Sequence, residues 1–325
     1  HRTGYVVDDL PQEHQIMQDL RFAEKTFDGT IPLEIQIEDT AKINLIRDRE
    51  FMHRMDQITD SLKTYPELGK PLSIVDILKF AWQWNNGGDS KYYTLPNSSD
   101  IFFINKLKKM VKKAGDGLGS LQYSLVDSTG KKVRIRCNVK DLGTEKMAVL
   151  EKQLEEDLSS VFPSDRYKTL ITGTSVIYFK GTQYLLVNLF ESLTLAIVLI
   201  AFFMALLFRS RRMVIVSLIP NVLSLFFTAA LMGFLDIPIK TSTILVFNIA
   251  FGISVDNTIH FLSRYRQCLK VNPNIRESVM MTIRETSPSM ISTSIILLFG
   301  FGIFGFSQFG GTQAMGILVA ITLFF

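Results

Sequence analysis

The chain has 325 residues, 47% of them hydrophobic, and a formal net charge of +4. Residues 1–184 contain 26 of the 35 Lys and Arg and 26 of the 31 Asp and Glu, so the positive excess lies entirely in residues 185–325. This distribution argues against a wholly water-soluble protein and against a nucleic-acid partner. We therefore predict a water-soluble domain, residues 1–184, followed by a lipid-embedded domain, residues 185–325.

The first part of the water-soluble domain has a strand pattern followed by a helix pattern. Ile31, Leu33, Ile35 and Ile37 alternate with polar residues, as in a half-buried strand. Apolar residues then recur at helical spacing from Phe51 to Leu62. A stretch rich in Trp, Asn and Gly follows, and we predict a helical insertion at about residues 74–115.

The second part of this domain predicts a hairpin, a helix and a last strand. Residues 122–127 and 131–139 flank a turn sequence that ends in Gly130. Helical spacing from Met147 to Leu158 precedes a short strand at residues 167–172. The order β-α-β-β-α-β predicts an α+β, ferredoxin-like domain.

The second half of the chain contains long apolar runs. A membrane-spanning helix needs about 20 mostly apolar residues. The predicted spans are residues 185–208, 213–235, 242–262 and 290–306, and residues 314–325 predict the start of a fifth. Since the runs lack the polar faces of helices in a soluble core, we predict an all-α transmembrane bundle. The chain begins with His1 and stops inside an apolar run, so we expect it to be a fragment of a longer protein.

Charged residues between the spans predict the orientation. Short cytoplasmic loops carry an excess of Lys and Arg. Residues 209–212 include three arginines, and residues 263–289 carry several basic side chains. These two segments are predicted to be cytoplasmic, which places residues 1–184 on the periplasmic or equivalent extracytoplasmic side of the cell (inner) membrane. The two cysteines, Cys137 and Cys268, would then lie on opposite sides.

Asp256 is the main functional candidate. Asn248, Gly252, Asp256 and His260 are spaced four residues apart, which places them along one face of the third span. Because an ionised carboxylate within a membrane costs at least about 2.5 kcal/mol, such residues usually mark ion or proton pathways. The alternative is an Asp256 near the cytoplasmic end that simply reaches water. His260 is either part of the proton path or an interfacial residue.

Several polar and small residues in the neighbouring spans are candidates for packing or relay roles. Pro220 and Asn221 interrupt the second span and indicate a kink or a hinge. Thr293 and Ser294 can hydrogen-bond to Asp256 from the fourth span. Asn248 and Gly252 are interpreted chiefly as helix-packing residues.

The membrane half resembles a known family. The motifs are FGISVDNTIHFLSRYRQ, SLIPNVL, FRSRR and TIRETSPSMISTSIILLFGFGIFGFS. They are similar to the second half of predicted exporters of the resistance-nodulation-division superfamily, in the branch with the mycobacterial large membrane proteins (MMPL) and Patched-like proteins. The resemblance implies a two-repeat, twelve-helix transporter, of which this chain is the second porter domain, helices eight to eleven and part of twelve.

The resemblance also implies proton-driven export of lipids or other hydrophobic molecules. Asp256 matches the proton-carrying acid of the family, and Asn257 occupies a position where the family often has Tyr or a second acid. The implied partners are membrane lipids, a hydrophobic substrate and the N-terminal half of the same protein, with a homo-oligomer also open.

Other functions remain open from the sequence alone. A membrane accessory of protein translocation and a sterol-sensing or Patched-like receptor would use the same architecture. A tethered hydrolase or binding module has no support, because residues 1–184 have no Gly-rich phosphate loop, Cys and His cluster or nucleophile elbow. We therefore expect no enzyme activity, no cofactor and no metal.

Overall fold

A computed structural model describes residues 5, 7, 9–11, 13–40, 44–96, 124–208 and 210–324. The chain divides into two compact units. The α+β unit comprises residues 15–179, and the helical unit comprises residues 1–14 and 180–325. The α+β unit is thus an insertion in the sequence of the helical unit. The division falls between Phe179 and Lys180, whereas the sequence indicated a boundary after residue 184.

The α+β unit contains a three-stranded antiparallel sheet and four helices among its described residues. The strands are β1 (Ile31–Asp39), β2 (Lys132–Val139) and β3 (Tyr167–Thr172), in the order β2-β1-β3. The helices are α1 (Gln15–Thr26), α2 (Arg49–Leu62), α3 (Ile74–Asn85) and α4 (Gly143–Val161). The sheet confirms the α+β class of this unit. Its strands β1, β2 and β3 correspond to the predicted first strand, the second strand of the predicted hairpin and the predicted last strand.

One face of the sheet forms the core of this unit. Leu33, Ile35 and Ile37 of β1 are fully buried, as their alternation predicts. Each such side chain contributes about 1.5–3 kcal/mol relative to an exposed one. Phe51 of α2 packs on Phe162 and Tyr167, with ring centroids 5.8 and 5.9 Å away. Side chains of α2 and of the segment after α4 therefore close the core over β3.

Local hydrogen bonds fix where the helices of this unit begin. Asp48 caps α2 by accepting from the backbone N–H groups of Glu50 and Phe51, at 3.0 and 3.3 Å. Ser73 and Asp76 form a reciprocal capping box at the start of α3. Helix α3 occupies the first part of the predicted helical insertion at about residues 74–115, and residues 97–115 lie outside the described residues.

The first strand of the predicted hairpin is wrong. Ser124 and Leu125 are helical, and only Val126 bridges to β2, at Val133. The predicted strand's first two residues, 122 and 123, lie outside the described part of the chain. The outer edge of β2 is instead paired with the segment before α3, because Leu72 and Arg136 exchange backbone hydrogen bonds of 2.7 and 3.0 Å. A complete ferredoxin-like sheet is therefore not formed by the described residues.

The helical unit contains five long or apolar helices in its described part. These are α5 (Thr174–Phe208, which starts in the α+β unit), α6 (Arg211–Phe234), α7 (Thr241–Val271), α8 (Ile275–Gly302) and α9 (Gly310–Phe324). Four are long and apolar enough to cross a membrane, and α9 is a shorter apolar helix. The predicted loop at residues 263–289 is wrong, because α7 and α8 extend through it and leave only a link from Asn272 to Asn274.

Apolar side chains join the helices of this unit in three clusters. Met232, Val246, Leu318 and Val319 join α6, α7 and α9. Leu225, Phe251 and Val255 join α6 and α7, with α5 residues packed against them. Met204, Phe208 and Leu262 join α5 to α7. Apolar side chains of α7 thus contact α5, α6 and α9 at successive levels along the helix.

The segment before α1 is tied to the starts of α7 and α9. The Asp9 carboxylate lies 2.8 Å from Lys240 Nζ, immediately before α7. The Asp9 carbonyl accepts the N–H of Gly310, the first residue of α9, at 2.8 Å. These contacts explain why residues 1–14 group with the helical unit.

Candidate functional site

The predicted polar face of α7 lies on the exposed side of the helix. Asn248, Gly252, Asp256 and His260 are all exposed, while Phe251 and Val255 are buried against other helices. The structure therefore brings the four residues onto one face, which does not pack on the described helices. In a membrane, exposed carboxylate and amide groups require cover by protein or water.

Asp256 and His260 form a pair on that face. His260 Nε2 lies 3.6 Å from Asp256 Oδ1, and their side chains are 71% and 67% exposed. This distance permits electrostatic attraction when the imidazole is protonated, but it is too long for a strong hydrogen bond. One turn of helix thus places the Asp256 carboxylate next to the imidazole of His260.

A groove of about 350 Å³ runs between α7 and α8 at this face. Asp256, Asn257 and His260 line it from α7, and Thr293 lines it from α8. The Thr293 hydroxyl donates to the Ser289 carbonyl of its own helix, at 3.0 Å. The sequence predicted a hydrogen bond between Asp256 and Thr293. In the structure the two residues line the same groove, and the Thr293 hydroxyl donates within its own helix.

Ser294 belongs to a different cavity. It lines a cleft of about 590 Å³ among α6, α7, α8 and α9, together with Pro220 and Asn257. Asn257 of α7 and Met290 of α8 line both spaces. Of the two predicted hydroxyl partners, Thr293 shares a space with Asp256, whereas Ser294 shares one with Asn257.

Asn221 is a buried cross-link between α6 and α7. Its Oδ1 accepts from Ser254 Oγ at 2.8 Å and from Thr258 Oγ1 at 3.0 Å, and its Nδ2 donates to the Ser217 carbonyl at 2.9 Å. Helix α6 continues through Pro220 without a break in the helix. Asn221 thus packs α6 against α7, whereas the sequence interpretation of Pro220 and Asn221 was a kink or a hinge. The four-residue spacing of Ser254 and Thr258 was the available signal for their part in it.

Arg264 and Glu285 were missed by the sequence analysis. They form a hydrogen-bonded ion pair between α7 and α8 and line the same groove as Asp256. The pairing was hidden because residues 263–289 were assigned to a loop. In the loop interpretation the two residues had no fixed spatial relation.

Metal chemistry has no candidate centre in the part of the chain that the structure describes, where no three His, Cys, Asp or Glu side chains form a suitable group. A charge cluster at the start of α2 in the α+β unit has a structural role. Arg166 donates to Asp48, the cap of α2, and this contact raises the pKa of the Arg166 guanidinium. Asp39, which is almost fully buried, lies 3.6 Å from the same guanidinium.

Comparison with known proteins places the helical unit in a family. Residues 121–325, more than half of the chain, match the MMPL family. The chain belongs to the MMPL family. As an MMPL protein it is a membrane protein, in agreement with its four candidate spans.

Two relatives show how much of an MMPL protein this chain represents. It is 23% identical over 302 residues to MJ1562 of Methanocaldococcus jannaschii, covering 90% of this chain and 72% of that protein. It is 27% identical over 263 residues to YdgH of Bacillus subtilis, covering 75% of this chain but 29% of YdgH. Both names describe membrane proteins. The chain thus spans less than a third of the YdgH relative.

Proposed function

We propose that this chain is part of a transporter that uses the proton-motive force to export lipids or other hydrophobic molecules across or out of the cytoplasmic membrane. The observation that carries the proposal is Asp256, an exposed acid within a candidate span. It lines a groove and has His260 one turn away. Membership of the MMPL family supports the transporter class.

Asp256 is the proton carrier in this proposal. An acid within a membrane span commonly marks a proton pathway, and Asp256 is the group that takes up and releases the proton in this scheme. His260 exchanges protons with it, and Asn257 and Thr293 shape its groove. Ser294 contributes through the cleft that it shares with Asn257. No enzyme step and no cofactor is required.

The exposed face of α7 supports a polypeptide partner in the membrane. Asn248, Asp256 and His260 would meet hydrocarbon if nothing covered them, which is costly. We propose that the other repeat of the same protein covers this face. A lipid or another hydrophobic molecule is the proposed substrate.

The proposed topology places residues 209–212 and the link from Asn272 to Asn274 in the cytoplasm. Lys240 and the α+β unit are extracytoplasmic. The arginine-rich link between α5 and α6 supports this orientation.

The test uses Asp256→Asn in the full-length protein, with Glu277→Gln as a control that removes one charge outside the span. A deletion strain is complemented with each variant, and lipid composition and membrane abundance are measured together. We expect Asp256→Asn to accumulate normally and to leave the lipid defect uncorrected, whereas Glu277→Gln corrects it. Full correction by Asp256→Asn would refute the carrier role. A strain with unchanged lipids but defective protein secretion would favour an accessory of protein translocation.

A further inference from the structure

The Arg264–Glu285 pair lies two helical turns from Asp256 within one groove. Arg264 follows Asp256 by eight residues on α7, which is about 12 Å of helix. Glu285 precedes Thr293 by eight residues on α8, which connects to α7 through a short link and returns beside it. The groove therefore has an Asp256–Thr293 level and an Arg264–Glu285 level.

We propose that the Arg264–Glu285 pair is a latch that closes the link-side mouth of this groove and controls access of water and protons to Asp256. The inference rests on the proposed proton-carrier function of Asp256. The latch joins α7 and α8 through their side chains. In the proposed topology this mouth opens to the cytoplasm.

The geometry holds the guanidinium in place. Its Nε donates to Glu285 Oε2, and Nη1 donates to Gln267 Oε1 at 2.6 Å. Below the latch, the link is fixed by its own contacts, since Ser278 Oγ donates to the Asn272 carbonyl at 2.6 Å. The link between α7 and α8 is thus held by contacts that do not involve the latch. The latch sets the distance between the two helices at Arg264 and Glu285.

The solvent exposure of the Arg264–Glu285 pair favours an ion pair that opens and closes over one that is permanently formed. The side chains of Arg264 and Glu285 are 42% and 35% exposed. Ion pairs with this much solvent contact contribute little to stability, and both groups remain well hydrated when they separate. The pair can therefore open and close at a small free-energy difference.

Cys268 is a natural reporter of the closed state. It lies one turn after Arg264, is buried, and has its Sγ 4.0 Å from Glu285 Oε2. Opening of the latch removes Glu285 from this contact and exposes the thiol. The other cysteine of this chain, Cys137, belongs to the α+β unit. It is replaced by Ala, together with any cysteine in the rest of the full-length protein, so that Cys268 alone reacts.

The test measures modification of Cys268 by the membrane-impermeant thiol reagent MTSET, in inside-out vesicles that contain the full-length Cys137→Ala protein. We expect Glu285→Gln and Arg264→Gln to react about fivefold faster than the parent. The exchanged pair Arg264→Glu/Glu285→Arg should restore slow modification. Arg284→Gln, which removes an exposed charge beside the latch, is the matched control and should react at the parent rate. Parent-rate modification of the two single variants, or an equal increase in Arg284→Gln, would overturn the latch.

Proton flux separates the latch from the carrier function. In vesicles loaded with a pH-sensitive dye, we expect Glu285→Gln to admit protons about fivefold faster than the parent, and the added Asp256→Asn substitution to abolish this leak. A leak that persists without Asp256 would refute the carrier role and leave the Cys268 result standing. Two results together would overturn the latch alone. They are loss of transport in Asp256→Asn and modification of Cys268 at the parent rate in Glu285→Gln and Arg264→Gln.

Discussion

Asn221 illustrates how a polar residue within a span can act in packing. It is fully buried and accepts hydrogen bonds from Ser254 and Thr258 of the adjacent helix. Loss of its carbonyl oxygen would leave the Ser254 hydroxyl without this acceptor. The single proton of the Thr258 hydroxyl would then be donated to the Ser254 carbonyl, which lies 2.9 Å away.

We expect Asn221→Ala to destabilise the α6–α7 contact by about 0.6–2 kcal/mol. Unfolding by SDS in mixed micelles, followed by helical circular dichroism, measures the change. Asn248→Ala is the matched control, because Asn248 is exposed on the described chain. Equal destabilisation by the two substitutions would contradict the cross-link role.

Cys137 gives a pH prediction for the α+β unit. Burial on the inner face of β2 raises the pKa of its thiol to about 12, from an ordinary value of 9.0. The folded state therefore holds this proton where the unfolded state loses it. The associated stability is fully present below about pH 9 and declines as the pH rises towards 12, by up to about 1.4 kcal/mol per unit.

We expect the stability of Cys137→Ala to fall less steeply between pH 9 and 11 than that of the unsubstituted chain. Urea unfolding followed by tryptophan fluorescence measures the slope, because both tryptophans, Trp82 and Trp84, belong to this unit. The loss of stability caused by the smaller Ala side chain is the same at every pH. It therefore does not affect the slope of the unfolding free energy against pH. Parallel pH profiles would show that the thiol contributes nothing.

At the scale of elements, Gly316 allows α9 to pack closely against the end of α8 and the 3-10 turn Ile303–Phe306 that follows it. A Cβ atom there would lie 2.6 Å from Phe304 Cβ, 2.7 Å from the Phe301 carbonyl oxygen and 2.8 Å from Gly305 N. Two of these neighbours are backbone atoms, so the helices would have to separate. Gly300 and Gly302 have no such neighbours within 4 Å.

We expect Gly316→Ala to destabilise the helical unit by about 1–3 kcal/mol, as overpacking typically does. Gly302→Ala should be neutral or slightly stabilising, because it adds a methyl group in open space of a helix. Thermal unfolding in detergent distinguishes the two. A larger loss for Gly302→Ala would contradict the described packing of α9.

The sequence predicted elements whose pattern is local. Alternation defined β1 because Leu33, Ile35 and Ile37 face one core, and apolar length defined the four candidate spans. It failed at residues 122–127, where a short apolar pattern does not distinguish a strand from a helix end. The pairing of Leu72 with Arg136 was not visible, because a segment that contains prolines has no strand periodicity.

The candidate site was predictable only in part for a related reason. The four-residue spacing on α7 is a property of one helix and placed Asp256 correctly on a polar face. The Asn221 cross-link and the Arg264–Glu285 pair depend on the register of two helices, which no single-helix pattern encodes. Assignment of residues 263–289 to a loop also removed the helical phase that brings Arg264 near Glu285.

At the scale of the whole molecule, the orientation in the membrane is testable with single cysteines. We expect Ser210→Cys, in the link between α5 and α6, to be protected from an impermeant maleimide in intact cells and to react in inside-out vesicles. Gln308→Cys, before α9, should behave in the opposite way. The charge asymmetry of the links motivates this pattern. Reaction of Ser210→Cys in intact cells would invert the proposed topology.

The tie between Asp9 and Lys240 sets an order of assembly during synthesis. Its two residues are 231 positions apart in the chain. At about 5–20 residues per second, the ribosome needs about 10–50 s after Asp9 before Lys240 exists. Gly310, the other partner of Asp9, is made later still. All strands and helices of the α+β unit emerge within this interval, so it can fold around its own core while the segment before α1 still awaits its partners. We therefore expect the helical unit to be completed last, after the inserted α+β unit has folded.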